Sequence, residues 1–192
     1  MILKIHKNII TCVEELSFQS ELVASSSLDC TIKIWSIQNG TLIREIECKR
    51  GVLKISNQNQ TLISCGFSHY VNIWNPEISG KIPLLGKLRG HNNLVIFCSF
   101  LGNTFNGISL DQDNNIKIWN IKKMQLIQNI DNLQKIDIKS IFYYQKQDRI
   151  FIGGKKLIFL ERKIIKKNNN MEYIYPIDID FNVYFNTILI LT

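Results

Sequence analysis

Polar and apolar residues alternate along "TIKIW" (31–35), and the same period-two phrase returns as "NIKIW" (115–119) and, more weakly, as "YVNIW" (70–74). Successive side chains of a strand leave opposite faces, so this alternation predicts half-buried β-strands. Runs of the same character, "ELVASS" (21–26), "TLIREIE" (41–47), "TLISCGF" (61–67) and "NLVIFCSF" (93–100), lie between them and are separated by clusters of Asn, Gly, Ser and Gln. Such clusters are turn chemistry. The pattern predicts an all-β chain built from short antiparallel strands.

The three tryptophans add a longer period: Trp35, Trp74 and Trp119 are 39 and 45 residues apart, spacings typical of blades, solenoids and arrays. Each closes a unit with a common internal layout. The third reads "GHNNLVIFCSF", then "GISLDQD", then "NNIKIWN", which places His91, Ser109, Asp113 and Trp119 in order, with Ser four before Asp and Asp six before Trp. The first has Ser25, Asp29 and Trp35 at the same spacings, with His6 upstream as a fourth member. In the second, Ser64 and Trp74 keep their places, but Ser68 stands where Asp is expected and "ECKRGV" replaces Gly-His.

In these positions the chain resembles the Trp-Asp (WD) repeat family of β-propellers. The resemblance implies that His, Ser, Asp and Trp of one unit form a hydrogen-bonded chain of side chains. The donor and acceptor inventory suits that role: indole only donates, hydroxyl and imidazole do both, and carboxylate only accepts. A complete relay is expected in units one and three and a broken one in unit two. The residue after each tryptophan is Ser36, Asn75 or Asn120, so the Asp of the family name is missing. It further implies a single partial propeller over 1–192, with blade one at about 6–47, blade two at 48–90, blade three at 91–131, a degenerate blade four at 132–176 and the start of a fifth at 177–192. "KIDIKSIFYY", "DRIFIGG", "KLIFLER" and "MEYIYPI" are the strands expected of blade four, which has no tryptophan. Propellers use 4 to 8 blades, so three readings of the whole stay open: part of a longer propeller, an open arc completed by a second chain, or a small closed ring.

Composition narrows the class. Of 192 residues, 45% are hydrophobic, enough for a core, while 10 Gly and 3 Pro exclude collagenous and Pro-rich disordered types. The five cysteines, at 12, 30, 48, 65 and 98, include no C-x-x-C pair, which argues for buried thiols rather than a disulfide framework or zinc knuckle. The N-terminal stretch has no uninterrupted apolar core of a leader, and no run approaches the ~20 apolar residues of a membrane span. A cytoplasmic location is the expectation, and the sequons at Asn39 and Asn59 are then incidental. Net charge is +7, with 11 basic and 9 acidic residues in 1–120 against 12 and 7 in 121–192.

Chemistry is sparse. "DQDNN" opens like an EF-hand loop, but Ile116 and Lys122 occupy the positions of the required Gly and Glu. "GGKKLIF" (153–159) lacks the phosphate-loop frame and reads as a hairpin turn. "CKRGV" (48–52) only loosely matches the paired-arginine signature of phosphoinositide-binding propellers. No catalytic residue, metal ligand or cofactor is expected. The resemblance implies a non-enzymatic scaffold that docks protein partners on a loop-rich rim, where Leu28, Phe67 and Gln112 precede the relay carboxylate position and Arg89 lies on the same face. The alternative is RNA or anionic-membrane binding by the basic C-terminal third, including "KKLIFLERKIIKK" (155–167).

Overall fold

A computed structural model describes residues 6–16, 21–77, 83–102, 104–131, 138–155, 157–161, 163–167 and 170–174. The expected blade five (177–192) lies outside them.

The period-two runs form three four-stranded antiparallel meanders. The first contains β1 (Ile10–Glu15), β2 (Leu22–Ser27), β3 (Thr31–Ser36) and β4 (Leu42–Glu47). The second contains β5 (Val52–Gln58), β6 (Thr61–Gly66), β7 (Tyr70–Trp74) and β8 (Leu84–Arg89). The third contains β9 (Val95–Phe100), β10 (Asn106–Asp111), β11 (Ile116–Asn120) and β12 (Gln125–Ile130). A three-stranded sheet follows, β13 (Ser140–Tyr144), β14 (Arg149–Gly153) and β15 (Leu157–Glu161), and a separate hairpin of β16 (Lys163–Lys167) with β17 (Asn170–Ile174). Apart from one 3-10 turn at Gln145–Gln147, the described residues contain no helix.

The backbone repeats as the sequence does. In each of the first three sheets the register slips immediately before the tryptophan, at Ile34/Trp35, Ile73/Trp74 and Ile118/Trp119, where the fourth strand pairs with the third. A second irregularity recurs where the first strand meets the second, at Ile10/Cys12, Val52/Lys54 and Leu110/Asp111. Bulges sharpen twist and bend a strand, so the three sheets are copies of one twisted unit. Sheet four differs from expectation. "MEYIYPI" supplies β17, which pairs with β16 instead of completing the sheet of β13–β15. The close sequence separation of β16 and β17 favours that local hairpin over a longer-range pairing.

Sheets pack face to face, and alternation assigns each strand's two faces to different neighbours. Leu62 and Trp74 join Ala24, Ile32, Ile34 and Ile46 in a layer between sheets one and two. Their strand neighbours Ile63 and Ile73 point the other way, joining Val95, Cys98, Phe100 and Trp119 between sheets two and three. Ile108, Leu110, Ile116 and Ile118 then meet Ile150, Ile152 and Leu160 between sheets three and four. Each fully buried Ile or Leu contributes roughly 1.5–3 kcal/mol. The first strands lie side by side: β5 packs against β1 and β2, and β9 against β5 and β6. Thr11 Oγ1 donates to the Val52 carbonyl at 2.7 Å, and Phe100 N–H donates to Ser56 Oγ at 3.3 Å, tying these inner strands across sheets.

Candidate functional site

Two buried relays occupy the junction between the loop before each first strand and the turn between the second and third. In unit one Trp35 Nε1–H donates to Ser25 Oγ at 2.8 Å, and Ser25 O–H donates to His6 Nε2 at 2.7 Å. His6 Nδ1–H donates to Asp29 Oδ2 at 2.8 Å. The Asp29 carboxylate also accepts Thr31 Oγ1 at 2.7 Å and the backbone N–H groups of Lys7 and Thr31 at 2.8 and 3.0 Å. Burial alone would raise its pKa, but the bonds from Thr31, Lys7 and His6 outweigh it and hold Asp29 well below the usual carboxylate range.

Unit three has the same order of groups with one substitution of partner. Trp119 Nε1–H donates to Ser109 Oγ at 2.7 Å, Ser109 O–H to His91 Nε2 at 2.6 Å, and His91 Nδ1–H to Asp111 Oδ2 at 2.9 Å. The carboxylate is therefore Asp111 and not Asp113, which the Trp spacing had indicated. Asp113 lies on the surface and accepts a bond from Asn93 at 3.1 Å. The reason is the turn. Asp111 Oδ1 accepts the N–H groups of Asp113 and Asn115 at 3.0 and 2.9 Å, which fixes its side chain inward beneath the turn. In unit one the residue at that place is Ser27, whose hydroxyl accepts the Asp29 N–H at 3.0 Å, leaving the histidine to Asp29 two residues on. Burial would raise Asp111, but the Asn115 N–H, His91 and the Asn115 amide lower it below its ordinary value. Burial depresses His91 more than Asp111 raises it, so the imidazole stays neutral.

Unit two retains only Trp74 Nε1–H donating to Ser64 Oγ at 2.8 Å. Ser68 Oγ turns instead to the Tyr70 carbonyl at 2.9 Å.

Ser, His and Asp in hydrogen-bonded order invite comparison with a hydrolase, yet these are enclosed. The His91 and Asp111 side chains are 0% and 1% exposed. Each serine hydroxyl is already engaged by an indole and an imidazole, so no nucleophile faces a substrate. Among the described residues no group of three His, Cys, Asp or Glu is placed to hold a metal. No helix among them is long and apolar enough to cross a membrane.

The four surface candidates fall into three places. Phe67 is 43% exposed. A Cβ on Gly51 would come within 2.9 Å of its ring and 3.4 Å of the Leu28 carbonyl, so Gly51 lets the loops carrying Leu28 and Phe67 converge. Gln112 is exposed on the turn after β10, its N–H bonded to the Leu94 carbonyl at 3.0 Å. Arg89 stacks over the Tyr70 ring at 5.4 Å, where Lys87 also lies at 4.2 Å. His69 is exposed beside it and joins no relay. Tyr70 and Lys87 were missed by spacing arguments, because their meeting depends on cross-strand placement.

Comparisons with known proteins agree with this geometry. A family model described as "WD domain, G-beta repeat" matches residues 1–36, the span of the first relay. Cilia- and flagella-associated protein 337 B of Tetrahymena thermophila is 29% identical over 163 residues, covering 80% of this chain and 12% of that protein. Nuclear distribution protein nudF of Aspergillus niger is 32% identical over 133 residues, covering 66% of this chain and 29% of that one. The solved structure of U3-55K superposes with a TM-score of 0.73 at 18% identity, covering 91% of this chain and 54% of its own. The WD40 β-propeller domain of Doa1 gives 0.68 at 21%, covering 79% and 50%. The chain thus spans about half the length of these solved chains and less than a third of these curated relatives. Tandem meanders and indole-to-carboxylate relays give the chain the fold of WD-repeat β-propeller domains, and its residues 1–36 match that family's model.

Proposed function

We propose that the chain is a non-enzymatic scaffold that docks protein partners on the rim formed by the turns after β2, β6 and β10, with Leu28, Phe67, Gln112 and Arg89 as contacts. The observation that carries this reading is the convergence of Leu28 and the 43% exposed Phe67 over Gly51. An exposed aromatic held by a rigid sheet is the kind of anchor that interfaces use. The fold supports the same role: the relays of units one and three tie down the turns after β2 and β10 and offer no reactive group, while the turn after β6 is held by the Ser68 bond to the Tyr70 carbonyl. Structures with this fold include that of a mitotic checkpoint complex.

The blade boundaries, the cytoplasmic location and a second chain that completes the ring belong to this proposal as well. The test is proximity labelling in the native cell with the full chain and with Phe67→Asp. The reading requires one set of neighbouring proteins to be lost from the variant while its circular dichroism is unchanged. Identical neighbours would overturn it. The competing reading is anionic polymer or lipid bound by the basic C-terminal third, of which residues 175–192 lie outside the described residues. Filter binding to RNA or anionic vesicles that weakens steeply with salt would favour it instead.

A further inference from the structure

The broken relay of unit two leaves a space. In units one and three the histidine sits four residues before the residue that opens the first strand's pairing, His6 before Ile10 and His91 before Val95; these openers pair with Ser27 and Asp111, each two residues beyond the relay serine. Val52 pairs with Gly66, two beyond Ser64, so Cys48 stands at the histidine position. A thiol is much shorter than an imidazole, and Cys48 Sγ lies 3.9 Å from the Ile46 carbonyl rather than against Ser64. A cavity of about 260 Å³ results, lined by Cys48, Ser64, Ser68 and Trp74 among others.

What this cavity lacks is specific. Ser64 is 1% exposed and accepts the Trp74 indole proton, but its own proton has no acceptor among the described residues. The sister serines give theirs to histidine. The relay carboxylate is missing at both places it can occupy, as Gly66 and Ser68. A Cβ on Gly66 would lie 2.1 Å from the Gly51 carbonyl oxygen, so the backbone there admits no Asp. Burial, with Cys30 and Asp29 nearby, pushes the Cys48 thiol up to about 12, and it brings no negative charge. Cations remain. Lys87 lines the cavity opposite Asn72, its cross-strand partner, and Lys49 and Arg50 lie at the wall with Glu47 as the one acid.

We propose that this cavity is a binding site for a carboxylate, which would accept the Ser64 proton and face Lys87. A single carboxylate supplies both things the sister relays have and this one does not, an acceptor and a negative charge. The site lies within unit two, lined by Ser64 and Trp74, and does not depend on partner docking at Phe67.

The probe is sodium acetate, titrated at constant ionic strength against sodium chloride into the full chain labelled with nitrogen-15, reading the indole N–H signals of the three tryptophans. The Trp74 signal moves saturably while those of Trp35 and Trp119 stay in place. Cys48→His removes the response with the other two signals unchanged, which shows the fold intact. Lys87→Ala weakens acetate roughly fivefold. A second arm compares an acetylated Gly-Glu-Gly amide with its Gln counterpart. Tighter binding of the Glu peptide than of acetate assigns the site to an acidic side chain of a partner, and the reverse assigns it to a free small anion. No movement, equal movement of all three indoles, or a response to imidazole but not acetate overturns the proposal.

Discussion

Asp111 and Asp113 are two residues apart on one turn, yet one is buried against an imidazole and the other is exposed. The difference is which oxygen the turn's own N–H groups capture, a local choice that precedes any tertiary contact. It has a consequence for acid stability. His91 is held below its ordinary 6.5, so as pH falls the unfolded chain takes up that proton first. The stability it lends is full above 6.5 and is lost as pH falls through the folded-state value. Asp29 and Asp111, held below their ordinary 3.8, lend stability that is full above that pH and lost below it. Thermal melts between pH 8 and 3 should show a first decline beginning near pH 6.5 and a second below 4. His91→Gln should flatten the first decline relative to the wild-type slope. A melting temperature that rises on acidification from pH 7 would refute the assignment.

The turn between second and third strands carries a further local cost. Cys30 and Asn114 occupy equivalent places five residues after Ser25 and Ser109, and both have positive φ, 68° and 62°. Asn adopts that conformation at less cost than Cys. Cys30→Asn should therefore raise stability by about 0.5–1 kcal/mol, seen as a higher urea midpoint with an unchanged slope. An equal or lower midpoint would show that the Cys30 conformation is unstrained. The strands themselves were legible because period-two alternation directly encodes which face is buried: Ile32, Ile34, Ile116 and Ile118 were all readable from their phrases. The relay members His6, Ser25, Asp29 and Trp35 were legible because their donor and acceptor types can be chained in one order, from an indole that only donates to a carboxylate that only accepts. Asp111 was not, since counting back from Trp119 measures chain length, while the bond depends on whether a Ser or an Asp sits at the turn's entry. The pairing of β17 with β16 was equally hidden, because nothing in "MEYIYPI" names its partner strand.

Three apolar layers join the first four sheets, and large apolar side chains stay exposed on the far faces of sheets one and four. On sheet one Val13 is 60% and Ile37 54% exposed, on the face that carries Trp35. On the fourth sheet Phe142, Phe151 and Phe159 lie in register across the strands, with Phe142 63% and the same-face Leu157 62% exposed. Stacked sheets with uncovered apolar faces associate. The purified chain should scatter light as more than a monomer, and Val13→Lys with Phe142→Lys should lower its apparent mass. A monomer in the unmodified chain would show those faces to be covered. The stacking depends on relays that lock units one and three, and their assignment is open to one decisive comparison. Urea unfolding of Asp111→Ala and Asp113→Ala should show a loss of about 1–3 kcal/mol for the first, which strands His91, and a change within ±0.5 kcal/mol for the second. Equal losses, or the larger loss at Asp113, would contradict it.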